Sequence, residues 1–133
     1  MDAAPVQSAA DIERAVAELA RDQRTGLIVA SDIYMVAMRG VILQSTKQHH
    51  VPLIAPYRQF AAEGGLMAYG PDTADIFRRS SSYVDPILKG ELPGNLPAQS
   101  PDKFELVVNL KTARALGLSV RQSFLELADE VIE

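Results

Sequence analysis

Cysteine is missing from this 133-residue chain. Its absence excludes disulfides, thiolate nucleophiles and thiolate metal sites together. The compartment stays open, because a fold with an adequate core needs no disulfide anywhere. Histidine is almost as scarce. The two present, His49 and His50, are adjacent, and adjacent helical residues point about 100° apart, so they cannot chelate as an i, i+4 pair would. With no companion ligand cluster, no metal site is expected. No apolar run approaches the length of a membrane span. Positive charge is thin: 13 Lys and Arg stand against 17 Asp and Glu, a formal net charge of −4. The densest cationic spot, "FRRSSS", holds two arginines, which do not make a phosphate-tracking patch, so a nucleic-acid partner is disfavoured. The N-terminal "MDAAPVQSAAD" lacks the basic and apolar regions of a secretory signal, and the chain as it stands is expected to carry no export address. Catalytic and nucleotide signatures are missing as well: no G-x-S-x-G elbow, no P-loop and no G-x-G-x-x-G. "SSS" (80–82) falls inside an amphipathic helix with no histidine near it in sequence. Neither an enzyme nor a cofactor is expected.

What remains is ordinary globular material, 47% hydrophobic and 23% charged, long enough for one domain with a real core. "SAADIERAVAELARDQR" sets Ile12, Val16, Leu19 and Ala20 at helical spacing, with Ser8 or Asp11 available as cap. "TGLIVA" (25–30) and "VPLIA" (51–55) are short apolar runs of the kind found in strands buried on both faces. Residues 33–48 between them read as one helix, and the three together as a right-handed parallel βαβ unit. A short helix (57–65, closed by Gly64) and a third strand, "LMAYG" (66–70), follow. "PDTADIFRRSSSYVDPILKG" is the best-defined helix. Asp72 caps it, Ile76, Ser80, Val84 and Ile87 form an inward stripe, Gly90 stops it, and Pro86 kinks or divides it near Ser82. The proline-spaced "ELPGNLPAQSPD" (91–102) predicts an extended, semi-rigid connector. A fourth strand, "KFELVVNL" (103–110), a helical "KTARALGL" and a short helix in the tail complete a single α/β domain over 1–133 with a mostly parallel sheet.

Open α/β sheets bind ligands beyond the carboxyl ends of their strands. That rule selects Ser31 and Asp32, Tyr57 and Arg58, Tyr69 to Asp72, and Asn109. A carboxylate, a guanidinium, phenols and an amide together suit a small zwitterion, with Arg58 on its carboxylate and Asp32 on its ammonium. Each residue has a plainer reading. Asp32 and Asn109 are also good helix caps, Tyr57 and Tyr69 also pack well with a wet hydroxyl, and Arg58 also serves as a surface charge.

Four blocks, "YRQFAAEGGLMAYGPD", "YVDPILKGELPGNLP", "KFELVVNLKTARALGL" and the terminal "ADEVIE", resemble the C-terminal part of the ABC-transporter substrate-binding proteins of the tryptophan/tyrosine-transport type. Residues 11–50 fit more loosely, and Ser119-Val120-Arg121 stands where that family commonly has a proline-containing turn. The resemblance implies a type I periplasmic-binding-protein fold, two α/β lobes joined by three chain crossings, of which residues 91–102 would form one. It implies that Tyr69 stands at the cleft with the glycines of that strand at the hinge, and it implies an ABC permease as partner and a periplasmic location. With the strand-end residues selected above, the expected ligand site is Asp32, Tyr57, Arg58, Tyr69 and Gly70, for a small organic solute such as an amino acid or related carboxylate. A whole member would carry an export signal and a full first lobe ahead of this portion. Elements normally covered by that lobe would be bare here, so a homodimer is expected, with "GGLMAYGPD" and the following helix packed on a second copy. The alternative is a truncated, non-catalytic module acting in dimerisation or partner interaction.

Overall fold

Helix α1 (Ala9–Leu19) starts at Ser8, whose Oγ accepts from Asp11 N at 3.2 Å and donates to Asp11 Oδ2 at 2.7 Å. Asp11 Oδ2 also accepts from Gln7 N at 3.2 Å, so two of the backbone N–H groups at the helix start are satisfied. Ile12 and Val16 are its buried residues. In the computed structural model, which describes residues 4–22 and 24–133, α1 leads to strand β1 (Leu27–Ile28), helices α2 (Ile33–Ala37) and α3 (Arg39–His49), and strand β2 (Leu53–Ala55). Then come α4 (Arg58–Ala62), β3 (Met67–Pro71), α5 (Thr73–Leu88), β4 (Phe104–Asn109), α6 (Leu110–Ala115), α7 (Gln122–Leu125) and β5 (Glu130–Ile132).

The five strands form one sheet in the order β1-β2-β3-β4-β5. Strands β1, β2 and β3 run parallel, β4 is antiparallel to β3, and β5 is parallel to β4. Right-handed crossovers that advance in one direction place α3 and α4 on the same face. There Leu53, Ala55 and Phe60 pack with Ile12, Val16, Ile42 and Leu43, and Ala61, Ala68 and Val107 continue the core. The register puts Ile28, Ile54, Met67, Tyr69 and Leu106 on the opposite face. Those residues are half-buried or exposed.

Three expectations need correction. The helix expected over 33–48 is two helices that break at Met38, whose backbone leaves helical geometry at φ −86°, ψ 7°. Helix α5 passes through Pro86 to Leu88 without dividing, because a proline so near the C-terminus removes only one intrahelical bond. The end is then closed by Gly90 at φ +98°, with Gly90 N donating to Ile87 O at 3.0 Å and Glu91 N to Pro86 O at 3.0 Å, the two bonds of a Schellman motif. The stripe Ile76, Ser80, Val84, Ile87 is not turned into a core either, for α5 contains no buried residue. It is held chiefly by the connector. Tyr83 Oη donates to the Pro97 carbonyl at 2.8 Å, Arg79 donates to Gln99 at 3.0 Å, and Arg79 also pairs with Asp102. Strand β5 was not foreseen in a tail read only as a short helix; three residues are too few to display an alternation. The connector has one 3-10 turn, Pro93–Asn95, and is otherwise without regular structure.

Candidate functional site

The carboxyl ends of β1, β2 and β3 lie at one edge of the sheet, and the start of β4 lies there too, because β4 runs the opposite way. Ser31 and Tyr57, from the segments after β1 and β2, meet in a 2.8 Å hydrogen bond between Oγ and Oη. Gly70 lies beside them. A Cβ there would overlap the Pro56 carbonyl oxygen, so the turn that carries Tyr57 sits against β3 only because residue 70 has no side chain. One turn earlier, Gly64 at φ +121° ends α4 in a conformation that L side chains rarely adopt.

Asp32 caps α2, its Oδ1 accepting from Tyr34 N at 2.7 Å, as the plainer of its two readings held. Arg58, in the first turn of α4, reaches across the sheet to β5. Its Nε and Nη2 each donate to a carboxylate oxygen of Glu130 at 2.6 Å. The hydrogen bonds from Arg58 hold the Glu130 carboxyl below its ordinary range, against a smaller opposing effect of burial, and Glu130 in turn raises Arg58. Among the described residues no partner is recorded for Arg58 Nη1, so that edge of the guanidinium is open. Tyr69 is 60% exposed and stacks on Phe104, with ring centroids 5.9 Å apart and planes 26° from parallel. Asn109 is buried. Its Oδ1 caps α6 by accepting from Thr112 N at 2.9 Å, and its Nδ2 donates to the Ala61 carbonyl at 2.8 Å, so it joins the frame of the fold, away from the open edge.

Glu105, paired with Gly70 across the β3–β4 ladder, has no ion pair among the described residues. Burial first, then the neighbouring Asp72 carboxylate, push its carboxyl up; Arg58 pulls the other way. Asp72 caps α5 and pairs with Lys103 at 2.8 Å, closing the base from which α5 and the connector leave the sheet. Phe104, Glu105 and Glu130 were missed from the sequence. Their place at this edge depends on the antiparallel return of β4 after 32 residues and on β5, and no local spacing encodes either. His49 lies in the last turn of α3, and His50 closes that helix in the left-handed conformation at φ 56°. Among the described residues, no helix is long and apolar enough to cross a membrane.

An open, mostly parallel sheet covered by helices is the fold of an α/β lobe of the periplasmic-binding-protein-like class. A family model described as ABC transporter substrate binding protein matches residues 1–132, and the chain belongs to that family. It is 23% identical over 92 residues to a tyrosine-binding protein of Clostridioides difficile (strain R20291), a match that spans 69% of this chain and 27% of that protein. Its fold is also that of two solved structures. One is a conserved domain protein from Vibrio cholerae, at TM-score 0.85 and 22% identity, with 95% of this chain and 42% of that one covered. The other is an ABC domain from Streptococcus pneumoniae in complex with L-Trp, at TM-score 0.86 and 22% identity, with 98% and 45% covered. The chain thus spans less than half the length of each of these relatives.

Proposed function

We propose that this chain supplies one wall of the ligand cleft of an ABC importer's substrate-binding protein and takes a small organic solute such as an amino acid or related carboxylate. What supports this reading most is the family match combined with the gathering of Ser31, Asp32, Tyr57, Arg58, Tyr69 and Gly70 at one sheet edge. The names of the relatives, a tyrosine-binding protein and an L-Trp complex, agree with that class of ligand. In this reading Asp32 receives the ammonium, and Arg58 Nη1 receives the carboxylate while Glu130 holds the other edge of the guanidinium in place. The Ser31–Tyr57 pair supplies hydroxyls between them. Strands β3 and β4 with residues 91–102 are crossings toward a facing lobe, the partner is an ABC permease, and the protein works on the outer side of the cytoplasmic membrane. The role is binding, without catalysis.

A panel of L-amino acids and aromatic acids, screened by thermal shift on this chain, tests the reading. At least one compound should raise the melting temperature. Asp32→Ala and Arg58→Ala should each remove that rise, while Glu130→Gln, which frees Arg58 without deleting it, should retain a measurable part of it. No shift with any compound would sink the proposal. It would leave the second reading, an interaction module, which is favoured by the absence of any buried residue on α5.

A further inference from the structure

Charge does not balance at the carboxyl edge of the sheet. The strand ends there carry Asp32, Asp72, Glu105, Asp129 and Glu130 against Arg58 and Lys103. Glu130 is matched by Arg58 at 2.6 Å and Asp72 by Lys103 at 2.8 Å. Asp129 accepts from the Leu106 amide at 2.8 Å. Among the described residues, Asp32 and Glu105 have no ion pair, and the Glu105 carboxylate accepts no hydrogen bond. The register fixes where Glu105 points. It opposes Gly70, and Glu130 pairs with Val107, so both carboxylates project from the face where Ala68 and Val107 pack with Ala61 of α4. On that face Arg58, from the start of α4, reaches Glu130 through Nε and Nη2. Arg58 and Glu105 are close enough to influence each other's ionisation. The glycine opposite Glu105 brings it no side chain, so a free carboxylate stands beside the open Nη1 edge of a guanidinium.

Asp32 stands elsewhere. It follows β1, whereas Glu130 lies in β5, at the opposite margin of the sheet. Arg58 starts beyond β2 and meets a β5 side chain, which sets its guanidinium near β4, three interstrand steps or about 14 Å from β1. The ammonium and carboxylate of one α-amino acid lie only about 3–4 Å apart. They fit Glu105 and Arg58 together and leave Asp32 out of reach. A four-carbon side chain ending in a second cation adds about 6 Å, and a hydrogen bond of about 3 Å at each end covers the span. We propose that the site selects a basic α-amino acid, with its carboxylate on Arg58 Nη1, its α-ammonium on Glu105 and its side-chain cation on Asp32. This rests on the amino-acid reading above, whose ammonium at Asp32 becomes that of the side chain, and it adds Glu105 as a specificity-determining residue. A simple zwitterion leaves one of the two carboxylates unmatched, and an unpaired charge taken out of water is costly.

Three derivatives of hexanoic acid, titrated into the full chain by calorimetry, separate the contacts. L-lysine carries all three charges, L-norleucine lacks the side-chain ammonium, and 6-aminohexanoate lacks the α-ammonium. Wild-type protein should bind L-lysine about tenfold or more tighter than either, the worth of one hydrogen bond between charged groups. Glu105→Gln should lose the preference over 6-aminohexanoate and keep that over L-norleucine. Asp32→Asn, which retains a cap for α2, should do the reverse. Both substitutions are close in shape to the original side chain, and unchanged far-ultraviolet circular dichroism checks that the fold is intact. The charge class is overturned if wild-type protein binds L-norleucine as tightly as L-lysine, or if either substitution weakens all three ligands alike. If only neutral amino acids bind, the amino-acid reading stands and the charge class falls. If no amino acid binds, both fall.

Discussion

Glu105 and Glu130 are two carboxylates at one edge of the sheet with opposite electrostatic environments. Burial and the nearby Asp72 raise Glu105 above its ordinary value of 4.5, because a partly desolvated carboxyl among other carboxylates resists ionisation. Glu130 is lowered from the same value by its hydrogen bonds to Arg58. The consequences for stability have opposite signs. For Glu105 the folded state holds the proton more tightly than the unfolded chain. Its contribution is therefore full below pH 4.5 and is lost as pH rises through the folded value, leaving a destabilising charge at neutrality. For Glu130 the contribution is present above pH 4.5 and is lost as pH falls through the folded value. Glu105→Gln should thus raise the melting temperature near neutral pH by about a degree or two, with the gain fading as pH falls through the folded value and absent below pH 4.5, and Glu130→Gln should lower it near neutrality. Thermal melts of both variants across that range decide the matter. A loss for Glu105→Gln at neutral pH that disappears at acid pH would mean that the carboxylate makes a favourable contact.

Single side chains also join elements, and Asn109 does so at both ends. It caps α6 with its oxygen and engages the Ala61 carbonyl of α4 with its nitrogen. Asn109→Ala removes a cap and leaves a buried carbonyl unpaired, which together should cost about 2–4 kcal/mol in urea denaturation. Asn109→Asp keeps the cap acceptor but turns a carboxylate toward that carbonyl, so it should be no more stable than the alanine variant. Recovery of wild-type stability in the aspartate variant would reduce Asn109 to a cap alone. Half of this role was legible in the sequence, since an asparagine at the head of "LKTARALG" signals a cap. The bond to Ala61 was not, because it spans 48 residues. The same division runs through the fold. Strands β1 to β3, the caps Ser8, Asp32 and Asp72 and the stop at Gly90 follow from local spacing and turn chemistry. The break at Met38, the pairing of β5 and the Arg58–Glu130 bond depend on tertiary neighbours that have no local signature. Of the candidate site, the residues after parallel strands were legible from one topological rule, whereas Phe104 and Glu105 required knowing which way β4 returns.

At the scale of the whole molecule the burial is uneven: on the sheet face away from α1, α3 and α4, Val108 is fully buried while the β1 and β3 positions are not. Parallel sheets are normally covered on both faces, yet here α1, α3 and α4 cover one, and Ile28 and Tyr69 on the other remain exposed. Helix α5 repeats the imbalance. Phe77 and Leu88 are 74% and 81% exposed, and Val84 lies between them. The spacing i, i+7, i+11 aligns the three in one apolar stripe, while the connector occupies a different flank through Arg79 and Tyr83. Apolar surface gathered in this way is favourably removed from water by like surface. A second copy of the chain offers the same stripe, and a two-fold arrangement sets stripe against stripe in a self-complementary contact. The chain should therefore self-associate at tens of micromolar, with α5 in the interface. Phe77→Glu combined with Leu88→Glu should give a monomer by light scattering without changing the circular dichroism, because neither residue is part of the core. A wild-type chain that stays strictly monomeric in that range would rule out the self-contact, and the stripe would then need a different partner to cover it.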